Sequence, residues 1–319
     1  MAHAVHTGWF VIAYELRVHP PPAGTSYTPL FETPSELPEA YRIAMPALGR
    51  LVMKVCHTND APAVAAVFDL IFGFAACYLF YRLAVDFLPA TWLVAVLFLA
   101  MIQFGMSWVV PWQRPETMPT SLFLAVVLFS VARVRQSLVW SALIVAATFA
   151  QGFVRTDVPL VLGVSIILLS VLPGEVGIIG TRRLLVFLGG IMVFVTVAIQ
   201  GYLRYVRLPN VHRWPSNKQL LTLSRNVHNL HSLVTGFVAL LPFVVFAIFL
   251  VWKRPALDAS DRLVLLASAL YLVLWFNAGY VSEARIFVPF MFALSSVAAK
   301  VIGSYTQIME PTPDVIEMM

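Results

Sequence analysis

Three short charged motifs interrupt an otherwise apolar chain: Arg114-Pro115-Glu116, Arg155-Thr156-Asp157 and Glu283-Ala284-Arg285. Each sets a cation two residues from a carboxylate, at the rim of a long apolar segment. A carboxylate can take a proton from a hydroxyl, and a planar guanidinium is shaped to hold a phosphate. Residues i and i+2 do not face one another on a helix, so Arg114 need not neutralise Glu116, nor Arg285 neutralise Glu283. Each is free to meet a neighbouring loop or a ligand. The competing reading is an ion-pair network that ties helix ends together, the commoner outcome for any single dyad.

The elements that must position these groups are membrane helices. The chain is 60% hydrophobic and only 12% charged, with mean hydropathy +0.84. Soluble domains carry about 25% charged residues. The expected fold is therefore all-α and polytopic. A spanning helix needs roughly 20 mostly apolar residues, with about 17 tolerated. That criterion places segments at 64–84, 91–110, 117–133, 138–154, 157–172, 183–204, 231–252, 262–280 and 284–302, or about 9 (8–10) spans. Gly8 to Tyr14 is apolar but too short to span, and it lacks the flanks of a signal peptide.

The connections alternate in character. One set is nearly pure cation: Arg82, then Arg133 and Arg135, Arg182 and Arg183, Lys253, Arg254 and Arg262, and Lys300. The positive-inside rule puts these in the cytoplasm and all three dyads on the opposite face. The net charge of +5 is thereby explained by helix anchoring, and nucleic acid is not an expected partner. Of the two cysteines, Cys77 falls in an apolar helix and Cys56 in a loop, which argues against a disulfide. The dispersed histidines match no metal-ligand spacing, and no phosphate-binding glycine loop or nucleophile elbow occurs.

The chain thus divides into an extracytoplasmic loop with an amphipathic helix (1–62), a transmembrane domain (63–303) and a cytoplasmic tail (304–319). The opening loop is rich in proline and holds Glu32, Glu36 and Glu39. After it, Arg42, Arg50 and Lys54 share a broad helical face near Ile43, Leu48, Leu51 and Val52. Such a helix lies in the membrane interface with its cations toward lipid headgroups or a phosphate. A second outward stretch, 205–230, is basic, with Arg207, His212, Arg213, Lys218, Arg225 and His228 around Trp214.

This layout resembles the GT-C superfamily of integral-membrane glycosyltransferases. The residues that carry the resemblance are the block from Glu39 through Tyr41-Arg42 to Pro46, the turn Gln113-Arg114-Pro115-Glu116, Arg155-Thr156-Asp157, and the run Glu283-Ala284-Arg285 to Pro289. The first and last are similar to a YR-x3-P block and an E-x-R motif in bacterial branches of that superfamily. The family's first helix and the Asp-containing pair after it have no full counterpart; Tyr14-Glu15 is the nearest.

The resemblance implies transfer of a sugar, with inversion, from a polyprenyl-phosphate donor to an extracytoplasmic acceptor, at the bacterial inner membrane. It implies catalytic carboxylates among Glu39, Glu32 and Glu116, with Glu39 the first choice of base. Arg42, Arg114, Arg155 and Arg285 become the phosphate-binding residues, with Asp157 and Glu283 in support. A divalent metal ion is an alternative aid to the leaving phosphate, and other membrane proteins are candidate partners. The competing functional classes are a transporter or flippase, whose ionisable groups ordinarily sit at mid-membrane, and a non-catalytic membrane subunit.

Overall fold

The computed structural model describes residues 43–58, 60–85, 98, 116–171, 179–207, 223–253, 255, 257–278 and 284–309. Every regular element among them is helical: α1 (Ala44–Val55), α2 (Ala61–Val85), α3 (Thr117–Val131), α4 (Leu138–Gly152), α5 (Asp157–Val171), α6 (Ile179–Tyr202), α7 (Leu223–His228), α8 (Leu230–Lys253), α9 (Ala259–Ala278) and α10 (Val288–Met309). A π-helical turn, Leu203–Arg207, extends α6, and a 3₁₀ turn, Ala284–Phe287, leads into α10.

The helices start where local chemistry caps them. Asp60 accepts the Ala63 N–H at 3.0 Å ahead of α2, Ser137 accepts from Val139 at 3.2 Å ahead of α4, and Asp258 accepts from Asp261 at 2.8 Å ahead of α9. Each cap satisfies a backbone donor that the first helical turn leaves without a partner. The observed helices follow the apolar runs closely. The last expected span divides, because 284–287 tighten into a 3₁₀ turn and the α-helix begins only at Val288. The expected helix at 91–110 lies outside the described residues except for the buried, helical Phe98, and the opening loop to Arg42 and the tail from 310 also lie outside them.

Among the described residues, three helices are long and apolar enough to cross a membrane, over Ala63–Val85, Arg182–Val206 and Ala259–Asn277. Five shorter apolar helices accompany them. Large apolar side chains stand exposed along α2 (Val67, Leu70, Ile71, Phe74) and α8 (Phe237, Val245, Ile248). In water such stripes would be a liability; against lipid they are at home, and the chain is a membrane protein. α10 is the reverse case. From Phe287 to Ala299 every residue is buried, because α10 is enclosed by α2, α3, α8 and α9. Its Ser295 and Ser296 return their hydroxyls to the backbone of their own helix, both at 2.7 Å.

α5 and α6 approach most closely through two glycines. A methyl group at Gly189 would meet the Gly163 carbonyl oxygen at 2.8 Å and Ile167 at 2.8 Å, whereas nothing lies within 4 Å of one at Gly190. Small residues at such a crossing let backbones touch, and van der Waals packing then holds the helices together. Gly189→Leu is expected to lower stability by about 1–3 kcal/mol through overpacking, and Gly190→Ala to leave it unchanged or raise it. Thermal unfolding of the two variants in one detergent checks the contrast.

Candidate functional site: a buried charge cluster at the helix rim

Among the expected site residues, the structure brings together Glu116, Arg155 and Asp157. Glu116 stands at the threshold of α3 and is 7% exposed. Arg155 and Thr156 form the turn between α4 and α5, closed by the Val154 and Arg155 N–H groups, which donate to the Gln151 carbonyl at 3.0 and 2.7 Å. Arg155 is only 5% exposed and faces Asp157: its Nε donates to Oδ1 at 2.8 Å and its Nη2 to Oδ2 at 2.7 Å.

That pairing corrects the expectation drawn from spacing. Residues two apart diverge on a helix, but residues 155 and 156 belong to a turn, so Asp157 at the first position of α5 can swing back onto Arg155. The dyad here is the bidentate, charge-assisted tie that the competing reading anticipated.

A residue that the sequence did not single out completes the cluster. Tyr271, buried within α9, donates its hydroxyl to Asp157 Oδ2 at 2.6 Å, receives a hydrogen bond from Arg155, and stands 3.3 Å from the Ile286 carbonyl oxygen. Its ring stacks on Phe290 at 4.6 Å, beside Phe287, which in turn stacks on Trp275. One phenol therefore links the α4–α5 turn, α9 and the 3₁₀ turn that carries Arg285. The signal available in the sequence was faint: one tyrosine in a leucine-rich helix.

Burial of Arg155 works against its charge, but Asp157, then Tyr271 and Glu116, outweigh that cost and raise its pKa above the ordinary arginine value. It is a permanent cation compensated from two sides. Polar groups without a hydrogen bond lie one and two turns before it on α4 and one turn after Glu116 on α3. Both amide atoms of Gln151, one turn before Arg155, and the hydroxyls of Thr148 and Thr120 are fully buried without a hydrogen bond. Each such group costs about 1–3 kcal/mol.

The cluster is recessed. Met118, in the first turn of α3, packs against Gly73 near the middle of α2, so the first turns of α2 run on past the start of α3. α1 fills this level. Its Met45 and Met53 pack with Val64, Ala65 and Phe68 of α2 and with Val154, and its Ala44 N–H donates to the Phe153 carbonyl at 3.1 Å.

Glu32, Glu39, Arg42, Arg114 and Glu283 lie outside the described residues, and Arg285 is placed by its backbone alone, in the 3₁₀ turn. Of the basic stretch, 208–222 lies outside as well, while α7 is held to α9 by Asn226, whose Nδ2 donates to the Phe276 carbonyl at 2.7 Å. Among the described residues no three His, Cys, Asp or Glu side chains converge as metal ligands. Asp157, the carboxylate best placed to help, is already engaged by Arg155 and Tyr271. The described donor set does not fit a divalent ion.

A second charged cluster ties other helix ends together. Lys300 of α10 donates to Asp258 and, at 2.9 Å, to Asp261, while Ser260 donates to Asp258 at 2.7 Å. Burial pushes the Asp258 carboxyl up, but the hydrogen bonds from Lys300, the Asp261 backbone and Ser260 win and hold it below its usual value. This group fastens the start of α9 to α10. Comparison with protein-family models, with curated proteins and with solved structures finds no match to this chain.

Proposed function

We propose that the chain is an integral-membrane glycosyltransferase with about nine spanning segments, its site facing away from the cation-rich connections. The observation that carries the reading is the recessed cluster: a buried carboxylate, Glu116, beside a buried and charge-compensated Arg155, with unsatisfied amide and hydroxyl groups nearby. Perturbed, desolvated charge next to spare hydrogen-bonding capacity is the usual mark of a working site rather than of a packed core. A hydroxyl-rich sugar suits the amide and hydroxyls, and the apolar helix walls suit a prenyl chain.

In this mechanism a carboxylate removes the proton of the acceptor hydroxyl. The acceptor oxygen then forms a bond to the anomeric carbon as the bond from that carbon to the lipid-phosphate oxygen breaks, and the phosphate departs with the electron pair. Glu39 serves as the base, with Glu116 orienting the acceptor and Glu32 the next carboxylate in the opening loop. Arg42, Arg114 and Arg285 receive the charge of the leaving phosphate. Arg155, most of whose donors Asp157 and Tyr271 occupy, positions the site from behind.

That occupancy also favours a second reading, a non-catalytic membrane subunit in which the cluster is purely structural. The purified protein, incubated with a panel of polyprenyl-phosphate sugars, separates the two. Sugar transfer or release of lipid phosphate supports the enzyme. No binding and no turnover from a well-folded sample moves the assignment to the subunit.

A further inference from the structure

α1 presents two different faces. One is spent on the protein: Met45 and Met53, 3% and 6% exposed, pack on α2 and Val154. The other faces outward and carries two parallel stripes. Arg50 and Lys54 are exposed, one turn apart, and neither has a hydrogen-bond or ion-pair partner among the described residues. Leu51 and Val55, the next residue on in each turn, are 57% and 67% exposed. Residues four apart share a helical stripe, so cations and apolar side chains run side by side. His57 follows, exposed, in the turn after α1, and Asp60, the next acid along the described chain, has its Oδ1 engaged in capping α2.

The position of the helix says what can cover that face. α1 packs on the first turns of α2, at the level where the candidate span Ala63–Val85 begins and where the exposed stripe of Val67, Leu70 and Ile71 starts. Leu51 and Val55 thus border the lipid-facing surface, while Arg50 and Lys54 can extend their stems along it and set their charges higher. Two exposed cations with no partner among the described residues, flanking apolar groups at a membrane border, match an anionic headgroup layer in charge and in polarity profile. A soluble protein partner would leave the apolar stripe's continuity with α2 unexplained.

We propose that the Arg50–Lys54 face of α1 is a binding surface for anionic phospholipid in the leaflet opposite the cation-rich connections. The proposal does not depend on glycosyl transfer. Each cation near such a surface contributes about a five-fold preference for anionic over zwitterionic lipid.

Cys56, exposed at the end of α1, supplies the probe. The full chain carrying Cys77→Ser is labelled there with a fluorophore and reconstituted in nanodiscs of phosphatidylcholine mixed with an equal part of phosphatidylglycerol, either lipid brominated in turn. Brominated phosphatidylglycerol should quench more strongly than brominated phosphatidylcholine, and Arg50→Gln/Lys54→Gln should abolish the difference without shifting the melting temperature. Equal quenching by both lipids in the starting protein overturns the proposal, as does no quenching at all. A preference that survives the double substitution places the lipid elsewhere and overturns it too. If a stoichiometric polyprenyl phosphate displaces the phosphatidylglycerol, the cations belong to a donor site and the phospholipid assignment falls; if the quenching persists, it stands.

Discussion

Glu116→Gln is expected to slow sugar transfer about 100-fold, the lower end of what a positioned carboxylate supplies to proton transfer, while leaving the melting temperature nearly unchanged. The amide keeps the shape of the side chain and removes only its charge. Arg155 remains compensated by its bidentate bonds to Asp157, so the cluster stays closed. Glu39→Gln, measured beside it, should fall further, toward the 10⁴-fold that a lost general base costs. Single-turnover rates on both variants, with melting curves as the control, make the comparison. A Glu116→Gln protein as active as its parent would remove Glu116 from the chemistry.

Asp157→Ala should produce the largest loss of stability, about 3 kcal/mol. Breaking a buried ion pair from one side strands the other charge, which typically costs about 3–5 kcal/mol, and Asp157 retains one-third of its exposure, which sets the value at the low end. Arg155, 5% exposed, is then left with Glu116 as its remaining carboxylate. Removing both charges together, as Arg155→Met/Asp157→Leu, should recover much of the loss, because no stranded ion remains. Tyr271→Phe, which deletes one hydroxyl from the network, should cost only about 1 kcal/mol. Unfolding in detergent ranks the variants. If Asp157→Ala proves no worse than Tyr271→Phe, the pair is not the tie described above.

The helices were legible because apolar segments announce themselves by unbroken length: apart from 91–110, which lies largely outside the described residues, and the far end of α10, which runs to Met309 rather than 302, their observed ends fall within four residues of the expected ones. The apolar length also misled where backbone geometry changed type, as at Ala284–Phe287, which composition cannot distinguish from a further turn of α-helix. The charged motifs were legible as singular residues but not as contacts. Arg155 and Asp157 meet because a turn, not a helix, joins them, and Tyr271 joins them from more than a hundred residues away. Long-range partners of that kind leave no periodic trace in a single sequence. Nor did anything in Val288–Ala299 mark α10 as the enclosed helix; its apolar residues look like those of α2, which is widely exposed.

The enclosure of α10 bears on how the molecule is made. Chains are synthesised from the amino end, and α2, α3, α8 and α9 leave the ribosome before the segment that they enclose. Until α10 arrives, the Tyr271 ring lacks Phe290 to stack on, Phe80 of α2 lacks Phe292, and the nascent bundle holds an unfilled centre. Final closure is therefore a late event that depends on the last described helix, and a chain interrupted near Phe287 leaves an open set of helices for quality-control proteases rather than a smaller working protein.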